Sequence, residues 1–393
     1  MRLAQRMEGI GTETAFEAAA RARALEAEGR DIIHLEIGEP DFDTPANIRQ
    51  AAKRALDEGW THYGPPLGQP KLRQAIAQDA TLRKRFQADA ANVVVTPGAK
   101  PIMFYALLAL IDRGDEVIYP DPGFPIYESM TRYAGGTPVP IPLREMNDFR
   151  LDPAELRSLV TSNTKLIIFN SPHNPTGSVL TREDIEAIAD VARQNDVTVL
   201  ADEIYGRTVY EGEHFSICAL PGMLERTILL DGFSKTFAMT GWRLGYAIVP
   251  PPLVEAFSKM IINSVSCTSS FEQMAAVEAL TGPQDEVEAM VEEFRARRAV
   301  IVDGLNRIPG MRCRMPHGAF YAFPNVGGTG MNGTQLADKL LYDGGVCVLS
   351  GTAFGQVGAD HIRISYANSQ ANLRRALERI EEVVSKAPTP APA

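Results

Sequence analysis

The stretch from Leu166 to Tyr205 reads LIIFNSPHNPTGSVLTREDIEAIADVARQNDVTVLADEIY, and its texture decides the fold class. It opens on an unbroken apolar run, Leu166–Phe169, and nears its end on another, Val197–Ala201. Neither run alternates apolar with polar residues, so neither leaves a face for water. Strands of that kind are buried on both sides, as in a parallel sheet covered by helices. Between the runs, Ile185, Ile188, Ala189 and Ala192 recur at helical spacing within Arg182–Gln194. Strands alternating with helices predict an α/β fold with a mostly parallel central sheet.

The same texture extends outward. Val93–Thr96, Val117–Tyr119, Thr227–Leu230 and Gly245–Val249 are further short strand-like runs separated by helical stretches. Towards the start, residues 1–14 read as an extended arm, and Thr14 precedes a helix-prone run, Ala15–Glu28, with Gly29 as its stop. Beyond residue 282 a long charged helix, Pro283–Asn306, leads to a short strand at Gly318–Phe323. A glycine-rich loop (Val326–Gly333), strands near Val346–Leu349 and Ile362–Tyr366, and a closing helix follow. That second texture is an α+β unit of its own. The end, KAPTPAPA, has nothing to bury, and residues 387–393 are expected to be disordered. No internal repeat is present.

The 393 residues suffice for one large and one smaller domain. Hydrophobic residues make up 45% and charged residues 22%, which is ordinary for a globular chain. A net charge of −10 argues against a nucleic-acid partner, which would need a basic face. The four cysteines, Cys218, Cys267, Cys313 and Cys347, form no CxxC pair. They predict neither a metal site nor a disulfide framework, and reduced thiols are expected. Charge interrupts the N-terminal stretch throughout, so no signal peptide is read. No apolar run approaches the roughly 20 residues of a membrane span. A cytoplasmic location is the default expectation.

Several segments carry chemistry. Asp231-Gly232-Phe233-Ser234-Lys235-Thr236 follows a strand and puts a lysine at the mouth of a buried sheet. A partly desolvated lysine loses basicity, and its neutral amine can form a Schiff base; an ordinary solvated lysine at a strand end fits this stretch equally well. Asn170–Gly177 follows Leu166–Phe169 as a turn-rich loop, and ligand sites of open α/β sheets lie at such strand ends. Asp202 emerges at the same edge, where a carboxylate could hold a protonated pyridine ring. Val93–Thr96 runs through Pro97-Gly98-Ala99-Lys100 into a helix whose first N–H groups suit a phosphate. A single glycine turn of this kind is weak by itself.

Read together, these segments resemble the pyridoxal-phosphate-dependent aminotransferases of fold type I, class I/II, close to the bacterial aspartate aminotransferase subgroup. The resemblance covers about residues 5–385. It is carried by Ile37-Gly38-Glu39-Pro40-Asp41-Phe42, Tyr63-Gly64-Pro65-Pro66-Leu67-Gly68, Asn174-Pro175-Thr176-Gly177, Asp202-Glu203-Ile204-Tyr205, Ser234-Lys235-Thr236 with Gly241-Trp242-Arg243, and Arg363-Ile364-Ser365. It implies a large cofactor domain over residues 46–281. A smaller α+β domain would be built from both chain ends, 15–45 with 282–386.

The resemblance also implies roles. Lys235 would carry pyridoxal phosphate and act as general base and acid. Asp202 would pair with the pyridinium nitrogen, Asn174 and Tyr205 would hydrogen-bond the ring's 3-oxygen, and Phe124 would stack on the ring. Backbone groups at Gly98, Ala99 and Lys100, with Ser234 and Arg243, would hold the phosphate. Tyr63 would reach the phosphate of a neighbouring subunit, so a homodimer is part of the expectation. Arg363 would fork onto the substrate α-carboxylate, aided by the backbone of Gly38. No metal is implied. Where some relatives have a phosphate-binding serine, this chain has Gly232, which shifts weight onto Ser234, Arg243 and the Gly98 turn.

The expected reaction moves an amino group from an L-amino acid to a 2-oxo acid, 2-oxoglutarate by expectation, in ping-pong order. The same fold also hosts C–S lyases and oxygen-consuming amino-acid or arginine oxidases, and Thr14, Glu17 and His34 keep the oxidase alternative open. A cofactor-sensing regulator would add a DNA-binding module that is not read here. The motifs do not name the residue that reads the donor side chain.

Overall fold

The computed structural model describes residues 2–7 and 9–386, so the expected tail at 387–393 lies outside the described residues. Seven strands form the central sheet: β1 (Val93–Thr96), β2 (Glu116–Asp121), β3 (Thr137–Pro142), β4 (Thr164–Asn170), β5 (Thr198–Asp202), β6 (Thr227–Gly232) and β7 (Gly245–Ile248). Their spatial order is β1-β7-β6-β5-β4-β2-β3. All neighbours run parallel except β7, which is antiparallel to both β1 and β6.

The unbroken apolar runs have a direct cause. Ile167, Phe169, Val199, Ala201 and Leu229 feed the hydrophobic core on one face of the sheet. Their chain neighbours Leu166, Ile168, Leu200, Ile228 and Leu230 feed the core on the other. Each of the Val, Leu, Ile and Phe side chains here, fully buried, contributes about 1.5–3 kcal/mol of transfer free energy, so neither face tolerates a polar alternate. The helix Arg182–Gln194 starts on a capping box formed by Thr181 and Asp184.

No strand is expected at β3 from the sequence pattern. Its sequence, TPVPIP, carries three prolines, and proline is tolerated only at a sheet edge, where β3 lies. The later elements are shorter than expected. The strand expected over Gly318–Phe323 is regular only at Tyr321–Ala322, because Gly177 and Thr208 take backbone bonds from the residues before it. The glycine-rich loop gives way to a helix, Gly333–Lys339, capped by Asn332 and Gln335. Tyr321–Ala322, Ile362–Ser365 and Leu349–Ser350 form a small antiparallel sheet, while Ile33–His34 pairs in parallel with Val346–Cys347. The long helix spans Asp285–Leu305 and the N-terminal one Thr14–Ala27. Gly29, just past the latter, has φ +88°, the left-handed conformation of a helix stop.

Among the described residues no helix is long and apolar enough to cross a membrane, and all four cysteines are free thiols. Register fixes the place of greatest interest. Asn170 of β4 lies beside Asp202 of β5, and Asp202 beside Leu230 of β6. The loops leaving these strand ends therefore open together on one edge.

Candidate active site

A cavity of about 510 Å³ lies at that edge. Asp202, Asn174, Tyr205, Ser234, Lys235, Arg243, Ala99, Lys100, Phe124, Gly38 and Arg363 all line it. Gly98 lies just behind, against Arg243. Tyr63 does not line the cavity and is 90% exposed. Thr14 lines it, whereas Glu17 and His34 do not. His34 is held instead between Glu36 (2.8 Å) and Glu26 (3.1 Å). Burial lowers the His34 pKa, but those two carboxylates outweigh it and leave it raised.

Asp202 ends β5 and is buried. Its partners among the described residues are a phenol and a backbone N–H, neither of them a cation. Tyr127 donates its hydroxyl to Oδ2 at 2.7 Å and Ile204 its N–H to Oδ1 at 3.3 Å. Burial pushes the Asp202 carboxyl up to about 6, opposed by those two hydrogen bonds and assisted by the charges of Asp231 and Glu203. Asn170 donates Nδ2 to the Asp202 carbonyl at 2.9 Å and accepts the Asn174 N–H at 2.8 Å, so the loop after β4 is pinned to the end of β5.

Lys235, in the loop between β6 and β7, donates Nζ to the Gly38 carbonyl at 2.6 Å. Burial lowers its pKa to about 8; Lys100 and Arg363 act the same way, and Glu39 and Glu13 oppose them. An amine so placed is neutral in a useful fraction near pH 8.

Arg363 is buried on the strand Ile362–Ser365, its guanidinium between the rings of Tyr321 (4.6 Å to the centroid) and Phe354 (4.8 Å). Nη1 donates to Asn174 Oδ1 at 3.1 Å and Nη2 to the Glu36 carbonyl. Burial pulls its pKa down from the ordinary arginine value, yet a guanidinium keeps its charge and its planar donor fork. Tyr321 also shares a 2.7 Å hydrogen bond with the Tyr205 hydroxyl. A Cβ added at Gly38 would lie 2.1 Å from the Tyr321 oxygen, which is why the backbone can approach here only as glycine.

The opposite wall is made by the helix Lys100–Leu110, with Ala99 as its N-cap. The first N–H groups of a helix have no intrahelical acceptor and favour an anion. A Cβ at Gly98 would come within 2.3 Å of Arg243 Nη2, and one at Gly245 within 2.5 Å of the Ala99 nitrogen. The guanidinium and the helix start are thus packed together by small residues. The ring of Phe124 meets Tyr127 edge-on at 5.8 Å. Lys100 lies 5.6 Å from the Phe124 centroid and is ion-paired with Glu13. A Cβ at Gly232 would meet the Gly245 Cα at 3.1 Å, so close packing between strands occupies the place where some relatives have serine.

Tyr127, Tyr321 and Glu13 are not expected from the sequence, and Asn170 is expected only as part of the loop at the ligand edge, without a role of its own. Tyr127 follows Phe124 by one helical turn, the only local signal that could have suggested it. Tyr321 reaches Tyr205 across 116 residues, and nothing local announces that contact.

The carboxyl edge of a mostly parallel α/β sheet is where such folds bind ligands, and this one follows the architecture of the fold type I aminotransferases. The chain belongs to the aminotransferase class I and II family, whose model matches residues 30–380, and it is a pyridoxal-phosphate-dependent transaminase. It is 44% identical to an aspartate aminotransferase of Pyrococcus horikoshii over 90% of this chain and 91% of the relative. It is 40% identical to aromatic-amino-acid aminotransferase 2 of Thermococcus litoralis over 98% of this chain and 99% of that one. Among solved structures, the aspartate aminotransferase of Thermus thermophilus with maleate superposes with a TM-score of 0.94 at 38% identity, covering 98% of this chain and 100% of its own.

Proposed function

We propose that Lys235 carries pyridoxal phosphate and moves the proton in transamination between an α-amino acid and 2-oxoglutarate, in a homodimer. One observation carries this reading: a single cavity holds a lysine of depressed basicity and a buried aspartate that lacks a cation. A pyridinium N–H is the cation that Asp202 lacks, and a buried carboxylate is costly until it has one. The helix start at Gly98–Lys100 with Ser234 and Arg243 suits a phosphate dianion by charge and by donor number. The residues present therefore fit the cofactor.

When bound, the cofactor supplies an electron sink for the charge released at the substrate α-carbon. Asp202 would hold the ring nitrogen protonated. Asn174 and Tyr205 would hydrogen-bond the ring's 3-oxygen, and Phe124 would cover the ring. Arg363 binds the α-carboxylate with its fork, alongside the Gly38 backbone, which explains why donor and acceptor both need that group. Lys235 Nζ would take the proton from the substrate α-carbon as general base and give it back as general acid. We further assign residues 46–281 to the cofactor domain and residues 15–45 with 282–386 to the smaller one. The bare Tyr63 is the state expected of a side chain that reaches a partner subunit's phosphate. Relatives named for aspartate and for aromatic amino acids, and a neighbour solved with a dicarboxylate, support an acidic or aromatic donor and a dicarboxylic acceptor.

The test is turnover by the purified holoenzyme with a panel of amino acids and 2-oxoglutarate, with dissolved oxygen followed alongside. Glutamate should form with aspartate or an aromatic donor while oxygen stays level. Lys235→Ala should lower the rate by at least about 10²–10⁴-fold, the span of general acid–base catalysis. Oxygen uptake without an acceptor, or an undiminished rate in Lys235→Ala, would contradict the proposal.

A further inference from the structure

Behind the cavity lies a buried charge cluster with no part in the chemistry above. Lys84 caps the end of the helix Pro70–Arg83, and its side chain is 7% exposed. Its Nζ lies 2.7 Å from Glu203 Oε2 and 2.9 Å from Asp231 Oδ2. Glu203 also accepts from Ser216 at 2.7 Å and contacts His214 Nε2 at 2.9 Å. Asp231 accepts the Tyr246 hydroxyl at 3.2 Å and its own neighbour's N–H, from Gly232, at 2.7 Å.

The place of this cluster in the sheet gives it meaning. Glu203 directly follows Asp202, and Asp231 stands four residues before Lys235. The parallel ladder between β5 and β6 ends at Asp202 and Leu230, with the Glu203 N–H donating to the Leu230 carbonyl at 2.9 Å. On its other edge β6 pairs with β7 from Leu229 to Gly232, so beyond Leu230 that is the one ladder it keeps, with Asp231 opposite Tyr246. Past Leu230, then, the strand end that bears the ring-nitrogen acid and the strand end that bears the lysine are joined by Lys84. Burying Lys84 and Glu203 beside a half-buried Asp231 costs free energy that well-packed apolar residues would avoid, so stability alone is a poor reason for this cluster.

We propose that Lys84 is a positioning residue for amino-group transfer: by tying Glu203 to Asp231 it fixes the spacing between Asp202 and Lys235. This rests on the reading of Asp202 and Lys235 as the two groups that face the cofactor from opposite sides. Lys84 touches neither substrate nor cofactor and acts through the two strand ends.

Three holoenzyme variants test it: Asp231→Asn, Lys84→Met and the double variant. Asp231→Asn keeps the Lys84–Glu203 pair and the local shape, and so remains informative if Lys84→Met fails to fold. In Asp231→Asn kcat should fall about ten- to a hundredfold, the cost of a misplacement of up to about an ångström, with KM for the amino acid changed less than about threefold. The visible circular dichroism of the bound cofactor, which reports its orientation, should change as well. The double variant should melt higher than Lys84→Met, because fewer buried charges are unpaired, yet should not regain kcat. An unchanged kcat and dichroism in Asp231→Asn, a loss confined to KM, or full recovery of kcat in the double variant would overturn the tie. A wild type without any cofactor band would instead refute the underlying reading of Lys235.

Discussion

Asp202 and Glu203 are adjacent carboxylates, both buried, and their ionisation is pushed in opposite directions. Asp202 faces the cavity with a phenol and a backbone N–H for company, and burial drives its pKa up to about 6. Glu203 faces the other way, towards Lys84, His214 and Ser216. Burial would raise it too, but the lysine and the histidine outweigh that and hold it well below the usual carboxylate range. One peptide bond separates a carboxylate whose charge is supplied with partners by the fold from one whose charge is left wanting. A buried acid with its own cation is part of the scaffold. A buried acid without one is the place for a ligand that brings a cation.

The contrast makes predictions, the largest for Glu203. Glu203→Gln removes one partner from a buried ion cluster, which costs about 3–5 kcal/mol of stability. Chemical denaturation of the cofactor-free protein would show it, and a loss below about 1 kcal/mol, the level of an exposed pair, would break the comparison. Asp202→Asn should do the reverse. Cofactor-free, it should be at least as stable as the wild type at pH 7, since it no longer buries an uncompensated charge. Its transamination rate should nevertheless fall by about 10²–10³-fold, the scale of a lost preorganised electrostatic partner.

The pH dependence sharpens the contrast. In the folded, cofactor-free state the Asp202 pKa is raised from 3.8 to about 6, so between those values the folded form binds more protons than the unfolded one. Its contribution therefore becomes more favourable as pH falls from 7 towards 4. Glu203 is lowered from 4.5, so its contribution is present above that value and fades as pH falls below it. A melting series from pH 7 to pH 5 should show wild type gaining on Asp202→Asn. The smallest effect belongs to Tyr127→Phe. The Tyr127 hydrogen bond lowers the Asp202 pKa, so its loss should raise it and move the pH-dependent stability step of the cofactor-free protein to higher pH. A step that stays in place would separate Asp202 from that titration.

The same two carboxylates show what the sequence made legible. Asp202 could be singled out because a parallel sheet has a known ligand edge and an apolar run points straight at it. Lys235 was readable on similar grounds, and the order of motifs supplied the family. Lys84 was not readable. It sits 119 residues from Glu203, just past the end of a helix whose sequence offers no sign that the capping lysine is buried. Tyr127 and Tyr321 were hidden for the same reason, since each acts through a contact made only when distant elements fold together. The strand at Thr137–Pro142 was masked by its prolines, which suit an edge but obscure a strand pattern.

The central claim, that Lys235 is the attachment point of the cofactor, has a direct test. The purified holoenzyme would be treated with borohydride, digested and mapped by mass spectrometry. A cofactor-derived mass is expected on the peptide that contains Lys235 and on no other lysine peptide. A reduced adduct on another lysine, with Lys235 unmodified, would contradict it.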